Sequence, residues 1–311
     1  SSHFVRDTSS INLRTDEFAA QRVGGFVNDN ISISKKVNLQ MGLRFDVMEN
    51  ITKVYLQPRI KLSFEPIGKW KINLTYGIYN QFITKNNLID NLNNYLYIWQ
   101  IADNKKFPIL SSQHYTLGLS HNSQNIKFNL EGFYKETDNI TLYFYDLRRR
   151  GLNLNVGKSK TVGLDAYFKM LVKKHEFWLA YTLSQTVAKF PYFQNSKYHI
   201  SAHNQTHELK GAGVLNFSPF YLSLNYVYGS GLNFTKTIEN TGKTIPYKRF
   251  DVAILYKFNT EKFNADISFS ILNLLNTKNI RYDDFTNFPN GKRFYSKSTP
   301  FTPLLNLHIG F

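Results

Sequence analysis

The sequence contains no cysteine in 311 residues, which removes disulfides and thiolate metal sites and leaves the compartment open, since a membrane barrel needs no covalent staples. Proline is scarce, at nine residues. No stretch approaches the ~20 consecutive apolar residues that a membrane-crossing helix requires. There is no GxSxG elbow, no HExxH pair and no phosphate-cradling glycine loop, so the familiar hydrolase, metalloprotease and nucleotide-binding signatures are missing. The chain opens Ser1, Ser2, His3, Phe4 without a basic, apolar leader, and the expectation is that a signal peptide has been removed or that a longer chain has been cut. Acidic residues are also in short supply, 22 against 38 Lys and Arg, giving a formal charge of +16. That excess has three readings: a nucleic-acid partner, a phosphate-rich lipid surface, or a lumen that attracts anions.

What the chain has in quantity is aromatic and strand-forming residues, 20 Tyr and 26 Phe, with abundant Asn and Thr for loops. Alternation predicts about thirteen strands, each close to the ~9–11 tilted residues that cross a bilayer. Their cores run 24–34, 37–47, 56–64, 70–82, 114–121, 126–136, 161–171, 176–186, 207–217, 221–228, 249–258, 264–274 and 301–311. Short turns are expected at 35–36, 66–69, 122–125, 173–175, 218–219 and 260–262, alternating strictly with longer loops at 49–54, 83–112, 138–160, 189–206, 229–248 and 276–300. Short turns at one end and long loops at the other are characteristic of outer-membrane barrels, whereas a soluble sandwich spreads long connections over both ends.

The faces fit that topology. Trp70, Ile72, Leu74, Tyr76 and Ile78 oppose Lys71, Asn73, Thr75, Gly77 and Tyr79, and Leu39, Met41, Leu43 and Phe45 oppose Gln40, Gly42, Arg44 and Asp46. The final segment places Phe301, Leu305, Leu307, Ile309 and Phe311 on one side and Asn306, His308 and Gly310 on the other. Periodicity alone does not distinguish a core-facing from a lipid-facing apolar side. Strand length, loop asymmetry and aromatics near strand ends, such as Trp70, Tyr181, Tyr221 and Phe258, favour an all-β fold, a transmembrane antiparallel β-barrel.

Several segments together resemble the TonB-dependent outer-membrane receptors, particularly those of Bacteroidetes-like bacteria. They are GFVNDNISIS (Gly25 to Ser34), GLRFD (Gly42 to Asp46), PRIKLSF (Pro58 to Phe64), LTYGIYNQF (Leu74 to Phe82), VGLDAYFK (Val162 to Lys169), YGSGLNFT (Tyr228 to Thr235), YKRFDVAILYKF (Tyr247 to Phe258), ILNLLNTKN (Ile271 to Asn279) and the terminal aromatic Phe311. The resemblance implies a 22-stranded barrel, an amino-terminal plug inside it, TonB as inner-membrane partner, and a terminal aromatic read by the assembly machinery. Thirteen strands, or fourteen if 10–15 adds one, correspond to the carboxyl-terminal part of such a barrel, with residues 1–311 forming barrel wall and no plug in this chain. The expected location is the outer membrane of a Gram-negative bacterium. The implied activity is energised uptake of a scarce solute; a passive porin-like channel and a barrel subunit of an envelope complex remain open beside it.

Candidate site residues are few. Arg148, Arg149 and Arg150 in a predicted outer loop suit an anionic ligand or lipopolysaccharide phosphates, because guanidinium pairs bidentately with such oxygens, though a solvated charge run at the membrane surface or lipid contact is favoured over substrate recognition. His199, His203 and His207 recur every four residues and could hold a transition metal; otherwise no cofactor is expected. Inward charges (Arg44, Arg59, Lys61, Lys71, Lys127, Lys135, Lys169 and Lys257 against Asp46, Glu131, Asp165, Asp251 and Asp266) are expected to pair across the wall or with a plug. Ser112 and His114 point the same way, but no third orienting group is evident, and no enzyme is expected. Nucleic acid is not expected as a partner, because basic residues alternate with apolar ones instead of clustering on a helix.

Overall fold

The computed structural model describes the chain apart from residues 1, 7–8, 15–18, 50, 90–94, 106, 147–150, 192–193, 236–241, 260–262, 288–292 and 311. In chain order the strands are β1 (Ser2–Arg6), β2 (Ser9–Arg14), β3 (Arg22–Ser34), β4 (Val37–Met48), β5 (Ile51–Phe64), β6 (Trp70–Gln81), β7 (Ile83–Ile89), β8 (Tyr95–Ile101), β9 (Leu110–Asn122) and β10 (Ile126–Asp146). They continue as β11 (Gly151–Val172), β12 (His175–Lys189), β13 (His199–Ile200), β14 (His207–Phe217), β15 (Phe220–Gly229), β16 (Tyr247–Asn259), β17 (Asn264–Leu272), β18 (Ile280–Asn287), β19 (Arg293–Lys297) and β20 (Thr302–Gly310). Thirteen of them form one continuous path, β3-β4-β5-β6-β9-β10-β11-β12-β14-β15-β16-β17-β20, each antiparallel to its neighbour. Its two end strands, β3 and β20, do not pair with each other among the described residues.

Register shows which way each face looks. One cross-strand row reads Ile31, Leu39, Leu62, Leu74, Leu117, Gly132, Leu164, Leu183. Displaced by a single residue along the strands, the next row reads Ser32, Asn38, Ser63, Asn73, Gly118, Glu131, Asp165, Thr182, Glu208. The aliphatic row is not a core: Leu74 and Leu117 are 54% and 59% exposed, and Ile31, Leu62, Leu164 and Leu183 are exposed as well. Leaving half a leucine side chain in water forfeits about 1 kcal/mol. Such a row is stable only against a medium other than water.

The apolar face has borders. Toward the long connections, the next outward row is Tyr76, Tyr115, Tyr134, Val162, with Tyr76 and Tyr115 ring centroids 5.0 Å apart. Beyond it come Glu136 beside Lys160 at 2.8 Å and Asp138 beside Lys158 at 2.9 Å. Toward the turns the border is Trp70, His121, Phe128, Phe168. From Trp70 to Tyr76 is six residues, about 20 Å at ~3.3 Å per residue, near the ~25 Å apolar band of an outer-membrane barrel wall.

Five of the six short turns lie at the expected positions and at one end of the sheet, and the sixth, 260–262, lies outside the described residues. The other end departs from expectation. The loop expected at 49–54 is a tight reversal instead: Met48 pairs with Ile51, and both side chains are buried with Phe82, Ala102 and Ile109. The loop expected at 138–160 is largely strand, because β10 and β11 stay paired out to Asp146 and Gly151. The 83–112 connection folds as the β7-β8 hairpin, which joins β10 in parallel through Leu142 to Phe144. The stretch 10–15 supplies a strand, Ser9–Arg14, but it pairs with β1 in a separate two-stranded sheet and adds nothing to the wall. The clustered hydrophobic core of the described residues therefore sits at the loop end, and the wall spends its apolar side chains outward.

Candidate functional site

The polar face of the sheet carries the chemistry. Near its middle, Asn73, Gly118, Asn129, Glu131, Asp165 and Thr182 line a hollow of about 470 Å³. Glu131 and Asp165 stand directly opposite one another, and Thr182 donates its hydroxyl to Asp165 at 2.6 Å. Ser63 donates to Asn73 at 2.9 Å, so neighbouring strands are tied by side chains as well as by backbone.

Toward the loop end this face becomes basic. Asp46, 1% exposed, accepts from Arg44 Nε and Nη2 at 2.9 and 3.2 Å, from Gln57 Nε2 at 2.5 Å, and lies 3.3 Å from Arg22 Nε. Gln57 in turn accepts from the Asn80 backbone N–H at 3.0 Å. A Cβ at Gly24 would overlap the Asp46 carboxylate, which explains a glycine in mid-strand there. This is charge-assisted bonding around one buried acid, with every carboxylate oxygen occupied.

Two strands further, Tyr79 lies between the Arg59 guanidinium, 4.8 Å from the ring centroid, and the His114 ring at 4.6 Å. The sequence makes this possible at Gly77, where a Cβ would come within 2.8 Å of the Tyr79 hydroxyl. His114 Nε2 and Ser112 Oγ are 2.9 Å apart, and the serine hydroxyl also lies against Glu136 O and Thr137 Oγ1. Ser112 and His114 thus do meet. Ser112 is buried, no carboxylate among the described residues bonds to the imidazole, and Lys135 is the residue paired with it across the ladder.

The other candidates are placed as follows. Arg148, Arg149 and Arg150 lie outside the described residues, as does Phe311. His199 pairs with Ala188 in a two-residue strand, His203 stands in a turn, and His207 opens β14 on the apolar face with Nδ1 2.8 Å from the Tyr181 hydroxyl. Among the described residues no three His, Asp or Glu side chains form a group able to hold a metal ion, so the spacing of the histidines does not bring them to one site. Their four-residue recurrence fails because they occupy three different local structures. Several inward charges pair, Arg44 with Asp46, Lys71 with Glu65 at 3.2 Å, and Lys169 with Glu176 at 2.6 Å. Arg249, absent from the inward set read from the sequence, holds Asp251 at 2.8 Å.

A group of buried asparagines also escaped the sequence reading. Asn273 donates to Thr277 O and Thr299 O at 3.0 and 2.9 Å and accepts from Thr277 N, while its own N–H donates to Asp251 Oδ1 at 2.7 Å. Asn279 bonds both ways to Lys248. Positive φ at Asn273 and Asn276 is the signal in principle, since asparagine tolerates that region better than most residues. These side chains fasten the connection after β17 onto β16, which is why the Ile271 to Asn279 segment reads as a motif.

Comparison with known proteins adds the following. Residues 3–274 match the family model described as TonB dependent receptor-like, beta-barrel. No curated protein matches the chain. Among solved structures, the ferric yersiniabactin uptake receptor FyuA from Yersinia pestis superposes with a TM-score of 0.67 at 10% identity, over 93% of this chain and 45% of that one. The ferric-catecholate import receptor Fiu from E. coli K12 gives 0.64 at 13% identity, over 93% and 44%. The ferric preacinetobactin receptor BauA from Acinetobacter baumannii gives 0.61 at 15% identity, over 97% and 46%. The chain spans less than half the length of each, and at these identities the likeness is one of fold.

Proposed function

Because the chain belongs to the TonB-dependent receptor-like β-barrel family, matched over residues 3–274, we propose that its thirteen strands are wall of an outer-membrane transporter that takes up a scarce solute with TonB-supplied energy. The family is one of transporters rather than enzymes. The observation that carries the reading is the pair of adjacent rows: an exposed aliphatic row from Ile31 to Leu183 facing lipid and, one residue over, a polar row from Ser32 to Glu208 facing a lumen. The long connections face outward from the cell and the short turns face the periplasm, in the outer membrane of a Gram-negative bacterium. Outer-leaflet lipid or lipopolysaccharide meets the Tyr76, Tyr115, Tyr134 border.

The unpaired edges of β3 and β20 support a larger barrel, since an open edge inside a bilayer leaves backbone groups without partners. Coverage of 44–46% of the solved neighbours named above supports the same reading, with a plug domain filling the lumen. The solute in this reading is of the kind such receptors concentrate, a siderophore, glycan, vitamin or peptide; the iron chelates named for FyuA, Fiu and BauA are those proteins' ligands.

The test uses the full-length protein. Capture by the periplasmic domain of TonB, with no steady conductance in a planar bilayer, is the expected result. Steady conductance without capture identifies a passive channel and overturns the proposal. Co-purification with other envelope chains, without capture or conductance, overturns it in favour of a structural subunit.

A further inference from the structure

The inner face holds more positive charge than its acids neutralise; Lys127 and Lys257 stand apart toward the turn end without an ion pair among the described residues, and the rest of the surplus is clustered. Arg59 and Lys61 lie two apart on β5, on the same face. Arg59 is in register with Gly77, His114 and Lys135 across β6, β9 and β10, so one row presents guanidinium, imidazole and ammonium together. Among the described residues, none of Arg59, Lys61 or Lys135 has an acidic side chain within ion-pair distance. That contrasts with Arg44, Lys71, Lys169 and Lys210 on the same face, each paired with a carboxylate.

The position along the wall matters as much as the charge. The Gly77, His114, Lys135 row lies one residue beyond the outward Tyr76, Tyr115, Tyr134 row, at the loop-end border of the apolar band. Arg59 and Lys135 therefore stand at the loop-end border, and Lys61, in register with Thr75, lies one step below them, between that border and the level where Glu131 and Asp165 make the wall acidic. The patch is also built. Tyr79 is held between Arg59 and His114, and Lys135 lies 4.8 Å over the Phe133 ring, so the charged groups are oriented by aromatic neighbours while keeping their hydrogen-bond donors free for a ligand.

We propose that Arg59 and Lys135, oriented by Tyr79, His114 and Phe133, form with Lys61 one step below them a recognition patch for a solute carrying clustered anionic oxygens on the outer part of the lumen wall. Guanidinium and ammonium groups in a cleft walled by low-dielectric strands attract such a solute and bond to it once it arrives. The inference rests on the uptake reading and narrows its solute to an anion.

The test measures binding of citrate, a small trianion, to the full-length receptor in detergent by isothermal titration calorimetry at low salt, with sucrose as an uncharged probe. Citrate is expected to bind and sucrose not to. The triple variant Arg59→Gln/Lys61→Gln/Lys135→Gln is expected to weaken citrate at least tenfold, and Lys61→Gln alone about threefold. Lys210→Gln, on the same face but away from the mouth, should leave affinity unchanged. Absence of citrate binding, or equal binding by wild type and the triple variant, overturns the patch. Loss of citrate binding in both the triple and the Lys210→Gln variant overturns it too, since the lumen as a whole would then be responsible. TonB capture separates the two ideas: capture without citrate binding rejects the patch alone, and citrate binding without capture rejects the uptake reading alone.

Discussion

Asn279 bonds to the backbone of Lys248 in both directions, accepting from its N–H at 2.8 Å and donating to its carbonyl at 2.6 Å. The asparagine side chain thereby imitates a paired strand at the start of β16, 31 residues away in sequence. Asn279 is 2% exposed, and truncating it removes the partner of both the N–H and the C=O of Lys248. Asn279→Ala should cost about 1–3 kcal/mol, read as a lower urea midpoint for unfolding in detergent micelles. Asn279→Asp keeps the acceptor and loses the donor, so it should fall between the alanine variant and wild type.

Leu74 and Thr75 are adjacent and face opposite media. Leu74→Arg puts a charge in the centre of the exposed aliphatic row, at about 2–4 kcal/mol near the bilayer midplane. Thr75→Arg puts the same charge in the polar lumen row beside Lys61. Membrane assembly, followed as heat-modifiable migration in outer-membrane fractions, should fail for Leu74→Arg and survive for Thr75→Arg. Equal tolerance would mean that the apolar face does not meet lipid.

These contrasts explain what could be read from the chain. Inside the bilayer, neighbouring residues meet different media, so Leu74 and Thr75 differ in kind and the alternation that sets strand position is strong. At 66–69 and 218–219 the break in alternation coincides with turn-forming residues, and at 35–36 with two lysines that follow Ser34, whose hydroxyl accepts from the Lys36 and Val37 N–H groups, so those turns were legible. Beyond Tyr134 the contrast between the two faces fades, and by Leu142 and Tyr143, which point opposite ways, both side chains are buried. Strand β10 then continues through Thr141 and Leu142 with no contrast to mark it, and its hairpin with β11 read as loop. The same applies to β7 and β8. Arg59 and Lys61 were legible as inward cations, but their lack of acidic partners among the described residues was not, because pairing depends on which strands become neighbours. Asn279 carries no pattern at all until Lys248 is beside it.

Gly77 tests the stack at the mouth. A methyl group there would come within 2.8 Å of the Tyr79 hydroxyl and 2.9 Å of its Cε2, so Gly77→Ala must swing the ring out from between Arg59 and His114. Citrate affinity should fall severalfold while stability changes by less than about 1 kcal/mol, because the displaced atoms are the far end of a side chain on the polar face that is free to swing rather than part of a packed core. Gly118→Ala on the neighbouring strand is the control. Its nearest atom would be Glu131 Oε2 at 3.7 Å, an ordinary contact, and neither quantity should move.

Asp46 is the one acid at the loop end of the polar face whose removal exposes an imbalance already present there. Its carboxylate is 1% exposed and takes three donors' worth of side chains, while Arg44 and Arg22 remain 38% and 46% exposed. Water can therefore reach the guanidinium groups once the acid is gone, and the full 3–5 kcal/mol of a broken buried pair is not expected. The remaining loss comes from Gln57, whose amide N–H is buried and has Asp46 as its acceptor, so Asp46→Ala should cost about 1–3 kcal/mol. Asp46→Asn keeps an oxygen for Gln57 and should cost less. A double-mutant cycle with Arg44→Gln distinguishes charge from packing: if the carboxylate acts by neutralising Arg44, the loss from Asp46→Asn shrinks in the Arg44→Gln background, and if it acts only as an acceptor for Gln57, the two losses add. Because Asp46 neutralises Arg44 and Arg22 on the same face, Asp46→Asn should leave citrate affinity equal to or higher than wild type, a direction opposite to that of its effect on stability.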